Sequence, residues 1–213
     1  NMEKLLLGGP VSEYLDKQSL NNFNNYEKAS GEKASLGAIT IGDDPSSLLY
    51  VERKEEKAKE LNVNFHWKKL NKAASKDDVV SAIDEYKSLN GVILQLPIPV
   101  SLDKDELIDI IPSHLDVDGL TSNNLGTLFE NEPAVVPATA RAVIEIFKYY
   151  EIDLTGKDIS ILGRSRLVTA PLAHLLSTQK YNATVTVLHS KSRNINQTIK
   201  KSDIVISAIG KAY

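Results

Sequence analysis

Short apolar, β-branched runs alternate along this chain with helix-length amphipathic stretches. Leu36–Ile41, Val63–Trp67 and Gly91–Leu96 are such runs in the first part, and Ile159–Leu162, Thr184–Leu188 and Ile204–Ser207 in the second. Each has a helical pattern nearby, so the fold class predicted is α/β, built of repeated βα units on a mostly parallel sheet. Between them, Val100 to Pro137 carries Pro112, Gly119, Gly126, Pro133 and Pro137 and reads as a loop-rich crossing between two lobes. The expected domains are residues 1–137 and 138–213. Val143, Ile144, Ile146 and Phe147 recur at helical spacing, so a helix over Ala140–Tyr150 should carry the chain into the second lobe. The asparagines between Asn21 and Asn25 are expected to interrupt or end an N-terminal helix.

Composition narrows the function classes. The chain has 213 residues, 42% hydrophobic, which is ample for a packed core. It has no cysteine, which excludes disulfides, thiolate metal sites and a cysteine nucleophile. Net charge is −3 with both signs interspersed, so no basic face for nucleic acid is expected. The opening leucine run before Gly8-Gly9-Pro10 is too short for a signal or a membrane span, and a cytoplasmic location is the default.

Candidate chemistry starts after the first strand, where Asp44 can cap a helix with Pro45 at its first turn. In that helix Tyr50 and Lys54 stand four residues apart and so share a face, at the carboxyl end of a strand, where open α/β sheets bind ligands. Alone, this pair beside Glu52, Glu55 and Glu56 also reads as a solvated surface. Gln95 closes an otherwise apolar strand before Pro97 and Pro99, either as a structural amide or beneath a ligand cleft. Asp116 and Asp118 precede Gly119; without further ligands they read as turn-capping groups, and no metal is expected.

In order and spacing these pieces closely resemble one family. Gly42-Asp-Asp-Pro-Ser-Ser47, Tyr50-Val-x-x-Lys54, Gln95-Leu-Pro-Ile-Pro99, Asp116-Val-Asp-Gly119 and Asn124-x-Gly-x-Leu128 match the pattern of the bifunctional methylenetetrahydrofolate dehydrogenase/cyclohydrolase family. The resemblance covers nearly the whole chain. It implies two α/β lobes around a folate cleft, tetrahydrofolate derivatives as partners, and a homodimer without nucleic acid or membrane. It also implies that Tyr50 packs on the aminobenzoyl part of folate and Lys54 is the catalytic group of the cyclohydrolase step. By the same resemblance Gln95 tunes that lysine, and Asp118 holds the pteridine. The residue types suit the chemistry: water adds to a cationic methenyl carbon, and the adduct must shed protons and reopen its ring, which calls for a general acid/base. A carboxylate can accept paired hydrogen bonds from an amino-pyrimidine edge.

In the second lobe, the strand ending at Leu162 runs into Gly163-Arg164-Ser165-Arg166-Leu167-Val168 before a helix expected to reach about Gln179. By spacing alone this is a weak dinucleotide loop, since Ser165 and Val168 stand where the full fingerprint has glycines. It resembles the family's Gly-Arg-Ser-x-x-Val-Gly-x-Pro loop, which implies a Rossmann-like domain with Gly163, Arg164, Ser165 and Ser190 as cofactor-binding residues. The next strand ends in His189-Ser190-Lys191-Ser192-Arg193, with no acidic residue for ribose hydroxyls, so NADP is expected over NAD. His189 reads equally as structural or functional.

Four departures bear on activity. Thr169 stands where the family has glycine and is expected to crowd the pyrophosphate. Ala140 and Ala142 replace the proline and glycine of the junction motif, and Leu115 replaces a lysine. The sequence also stops at Tyr213, short of the family's Pro-Gly-Gly-Val-Gly-Pro segment and closing helix, so the second domain is expected to be incomplete. Two alternatives to the bifunctional enzyme therefore stand: a cyclohydrolase or folate-binding protein with an impaired dehydrogenase, and an unrelated two-lobed NADP-dependent reductase.

Overall fold

The computed structural model describes residues 5–130, 133 and 135–209. The chain divides into two compact units, one Leu7–Asn124 and the other built chiefly from Leu125 onward.

The first unit runs α1 (Gly8–Ser30), β1 (Ser35–Ile41), α2 (Pro45–Glu60), β2 (Asn64–Leu70), α3 (Lys76–Glu85), β3 (Gly91–Leu94) and α4 (Lys104–Ile110), with α5 (Ser122–Thr127) crossing its end. Its sheet is parallel in the order β2-β1-β3. Central β1 is nearly all buried and so is β3, whereas edge strand β2 alternates between exposed and half-buried positions. Continuous apolar runs are what a parallel strand covered on both faces requires. The chain goes from β1 to β2 on one side and then back past β1 to β3 on the other, and this reversal of strand order opens a crevice at the carboxyl end of the sheet.

Two stretches differ from the sequence expectation. The asparagine cluster neither breaks nor ends α1, which continues to Ser30 and closes on Gly31 at φ 83°. Asparagine is a poor helix former, but tertiary bonds recruit this surface. Asn62 donates its side-chain amide to Asn24 Oδ1 at 3.0 Å and to Glu27 Oε2 at 2.6 Å, and Asn90 donates to the Tyr26 hydroxyl at 3.0 Å. The crossing after Val100 also holds helices. Asp103 caps α4 by accepting from the Asp105 and Glu106 N–H groups, and Leu107 and Ile108 bury its inner face.

The second unit runs α6 (Ala138–Tyr149), β4 (Asp158–Leu162), α7 (Thr169–Ser177), β5 (Thr184–Leu188), α8 (Ile195–Lys201) and β6 (Ile204–Ser207), with a parallel sheet in the order β5-β4-β6. It repeats the strand arrangement of the first unit. Ile159 and Ile161 of β4 pack with Leu172 and Leu176 of α7 and with Ala140 and Ile144 of α6 in one core. Ala140 is fully buried there, so the residue replacing the family's proline serves packing. Among the described residues no helix is long and apolar enough to cross a membrane.

Candidate active site

In the first unit three segments meet at the carboxyl end of the sheet. The Asp44 side chain accepts the Ser47 N–H at 2.8 Å and starts α2, with Pro45 supplying a preset φ at the first turn. The Ser46 and Ser47 donors hold its carboxyl below the ordinary carboxylate range. Buried Ser47 donates its hydroxyl to the Leu96 carbonyl at 3.4 Å, tying the start of α2 to the chain leaving β3. Nothing in the sequence pattern marks Ser47 for this contact.

That tie sets up a contact across 41 positions of sequence: Lys54 Nζ donates to Gln95 Oε1 at 3.0 Å. Gln95 in turn donates Nε2 to the Leu96 carbonyl at 2.9 Å, and its backbone N–H continues the ladder to Ile39 O at 2.9 Å. The amide is therefore held at both ends, with its oxygen turned to the ammonium. Tyr50, one turn before Lys54, is 55% exposed, leaving its ring face open to a ligand. A hollow of about 550 Å³ touches Tyr50 and Lys54 but extends towards the amino ends of the strands, where Ala34, Leu36, Val63 and Gly91 line it.

The third segment brings Asp118. Val92 and Asp116 form a parallel bridge, and the Val92 N–H donates to Leu115 O at 2.7 Å, so the chain runs along β3 towards the end where Gln95 stands. Burial pushes the Asp118 carboxyl above its ordinary range; the Lys54 charge opposes this, and the Asp116 charge adds to it. Tyr50, Lys54, Gln95 and Asp118 thus gather in one unit. Asp116 takes the turn-capping part expected of it, with its carboxylate accepting from the Gly119 and Thr121 N–H groups at 3.0 and 2.9 Å. No group of three or more His, Asp or Glu side chains able to hold a metal occurs among the described residues.

The second unit offers a different kind of site. After β4 the chain turns at Gly163, φ 125°, where a Cβ would lie 3.2 Å from Ala208 O and 3.2 Å from Thr169 Cγ2. Glycine is required by both conformation and space. The Ser165 hydroxyl accepts the Thr169 N–H at 3.2 Å and the Ser165 carbonyl accepts the Ala170 N–H at 2.9 Å, so the loop closes over the first turn of α7. Arg164, Ser165 and Arg166 are exposed. Thr169 is fully buried, packed towards Gly163 and Ser165. The side chain expected to crowd a pyrophosphate is thus turned into the protein, against Gly163 and Ser165.

The Gly163 N–H donates to Leu188 O at 2.8 Å, so the ends of β4 and β5 stay in register and Ser190 comes to the same sheet edge as Arg164. The chain beyond β5 is folded on itself: Ser192 Oγ accepts the His189 N–H at 3.0 Å, and His189 Nδ1 accepts the Lys191 N–H at 3.2 Å. His189 is thereby a structural member of this turn, with Ser190 and Lys191 exposed.

Comparison with known proteins follows this division. The tetrahydrofolate dehydrogenase/cyclohydrolase catalytic domain matches residues 6–118, and the NAD(P)-binding domain of the same family matches residues 137–213. The bifunctional protein FolD of Lactobacillus helveticus is 38% identical over 189 residues, covering 87% of this chain and 66% of that protein. Its counterpart from Streptococcus agalactiae is 34% identical, covering 100% of this chain and 75% of its own length. Among solved structures, FolD from Campylobacter jejuni superposes with a TM-score of 0.89 at 32% identity, over 96% of this chain and 73% of that one. FolD from Trypanosoma brucei, solved with NADP cofactor and inhibitor, also gives 0.89, at 30% identity over 96% and 71%. The chain belongs to the tetrahydrofolate dehydrogenase/cyclohydrolase family.

Proposed function

We propose that this protein oxidises methylenetetrahydrofolate to methenyltetrahydrofolate with NADP and hydrolyses the product to formyltetrahydrofolate. The observation carrying this reading is the 3.0 Å contact of Lys54 Nζ with Gln95 Oε1, next to a half-buried Asp118, in a chain of this family. Family membership sets aside the unrelated reductase.

In the hydrolytic step, water forms a C–O bond to the bridging methenyl carbon and loses a proton. The bond from that carbon to N5 then breaks as the new hydroxyl gives up its own proton to become the formyl carbonyl and N5 takes one up, so one proton is released overall. Lys54 is the group placed to move these protons. Its neutral partner Gln95 orients the ammonium through the 3.0 Å contact. Asp118 binds the pteridine edge through paired hydrogen bonds, and its negative charge favours the cationic carbon. Tyr50 stacks its open ring on the aminobenzoyl group.

Bound NADP would accept the hydride released from the methylene carbon. The second unit fits such a group: Gly163 turns the chain tightly between β4 and α7 and leaves Arg164 and Ser165 exposed on the loop. Arg164 and Ser190, at one sheet edge, hold the 2′-phosphate. The homodimer implied by the resemblance belongs to this reading and is checked by light scattering.

The test is an absorbance assay of both half-reactions on one preparation. Lys54→Met is expected to lower methenyltetrahydrofolate hydrolysis on the order of a hundredfold or more, the scale of a principal general acid/base, with circular dichroism unchanged. Near-normal hydrolysis by that variant would remove Lys54 from the role.

A further inference from the structure

The turn that presents Asp118 is held by a carboxylate that does not face the ligand. Asp116 is 3% exposed, and both of its oxygens are occupied from within the turn. Oδ1 accepts the Gly119 N–H at 3.0 Å and the Leu120 N–H at 3.2 Å. Oδ2 accepts the Thr121 N–H at 2.9 Å and the Asn124 side-chain amide at 2.8 Å. Three consecutive backbone donors and one side-chain donor thus converge on one buried group. Asn124, 4% exposed, also donates to Ser113 O at 2.9 Å, which joins both ends of the segment.

The other flank of Asp118 is fixed by packing. Val117 lies over Gly91 of β3 so closely that a Cβ on the glycine would sit 2.4 Å from Val117 Cγ1. Asp118 is therefore suspended between a residue wedged on the strand and a glycine bonded to Asp116. With Gly119 at φ 70°, the chain turns sharply at this point.

We propose that Asp116 and Asn124 are positioning residues: their hydrogen-bonded cradle fixes the turn so that the Asp118 carboxylate stands beside Lys54, ready to meet the folate substrate. The geometry rests on the convergence of four donors on Asp116, on the Asn124 bridge to Ser113 and on the Val117–Gly91 wedge. It also rests on the reading of Asp118 as a folate-binding group. A buried carboxylate with four donors holds its neighbours rigidly, because any alternative conformation leaves a charge or several N–H groups unpaired. The Asp116 charge has a second, smaller consequence in raising the proton affinity of Asp118, behind the effect of burial and opposed by Lys54.

The experiment measures steady-state methenyltetrahydrofolate hydrolysis by the full chain carrying Asp116→Asn, Asn124→Ala, Asp118→Asn and the Asp116→Asn/Asp118→Asn pair. Asp116→Asn turns an amide NH2 towards backbone donors and is expected to raise KM about tenfold, the scale of one lost hydrogen bond to a charged group, while kcat falls by less than about threefold. Asn124→Ala removes one donor and keeps the charge, so it separates position from electrostatics; a rise in KM of about threefold is expected. Because both act through Asp118, the pair should show the KM of Asp118→Asn alone. Equal KM for Asp116→Asn and the parent, or losses that multiply in the pair, overturns the inference. Should Asp116→Asn fail to fold, Asn124→Ala combined with Asp118→Asn decides by the same criterion. Asp118→Asn leaving KM unchanged would instead overturn the folate-binding role of Asp118. An effective Asp118→Asn with silent Asp116 and Asn124 variants overturns only the positioning role.

Discussion

The two units share one sheet plan, a central first strand flanked by the second and third, yet they prepare their sites in different ways. The first builds its site from side chains already in contact: Lys54 on Gln95, Gln95 on Leu96 O, and Asp116 under the Asp118 turn. The second builds a backbone feature, the Gly163 turn closed over α7 by Ser165, and leaves Arg164 and Ser190 exposed at its edge. A proton-transfer site gains from groups held in place before the substrate arrives, because small misplacements are costly in rate. A phosphate site can rely on a turn that the fold fixes for other reasons, with long cations closing on the anion when it binds.

This contrast can be broken by experiment. The largest effect should be confined to the first unit: Lys54→Met, with its expected hundredfold or greater loss of hydrolysis, should leave the NADP dissociation constant within about twofold by calorimetry, since Lys54 lies outside the dinucleotide loop. A parallel loss of NADP affinity would show the two sites to be coupled.

Next in size is Arg164→Ala. One charge-assisted phosphate contact is worth about 1.5 to 3 kcal/mol, so NADP should weaken by roughly ten- to a hundredfold while NAD changes little. Fluorescence titration with both nucleotides checks this, and equal weakening of the two would place Arg164 away from the 2′-phosphate. Gly163→Ala should act through the backbone. It forces an L-residue to φ 125° against Ala208 O and Thr169, a strain of about 1–3 kcal/mol that should lower the thermal midpoint and weaken NADP and NAD alike.

The smallest effect concerns the Asp118 charge. Burial raises its folded carboxyl above the unfolded value, so its contribution to stability is fully present below the unfolded value and is lost as pH rises through the folded one. Asp118→Asn removes that penalty. The variant should melt about 1–3 °C above the parent at pH 8, with the gap closing at pH 4. A gap that widens on acidification would reverse the assigned direction.

Much of both sites was legible because it is local. The Asp44 cap, Pro45 at the first turn, and Tyr50 and Lys54 on one helical face follow from neighbours within four residues, and the structure keeps each. The Asp116 turn was legible too, since its donors Gly119, Leu120 and Thr121 lie within five positions. The Gly163 loop could be located by its place between strand and helix, although its departures from the full fingerprint made it look weaker than its geometry is.

What sequence alone determined, then, is the order of the strands and the local chemistry at their ends, because backbone preference and capping depend on adjacent residues. Tertiary structure decided the rest. It kept α1 whole through the asparagines, because Asn62, distant in sequence, donates to Asn24 and Glu27. It turned Thr169 inward against Gly163, a direction that no spacing rule contains. It closed Lys54 onto Gln95 and half-buried Asp118 near Lys54, which required a helix and two chain segments to converge on one sheet edge. Such contacts depend on where each crossover packs, and that is settled only when the whole core has formed.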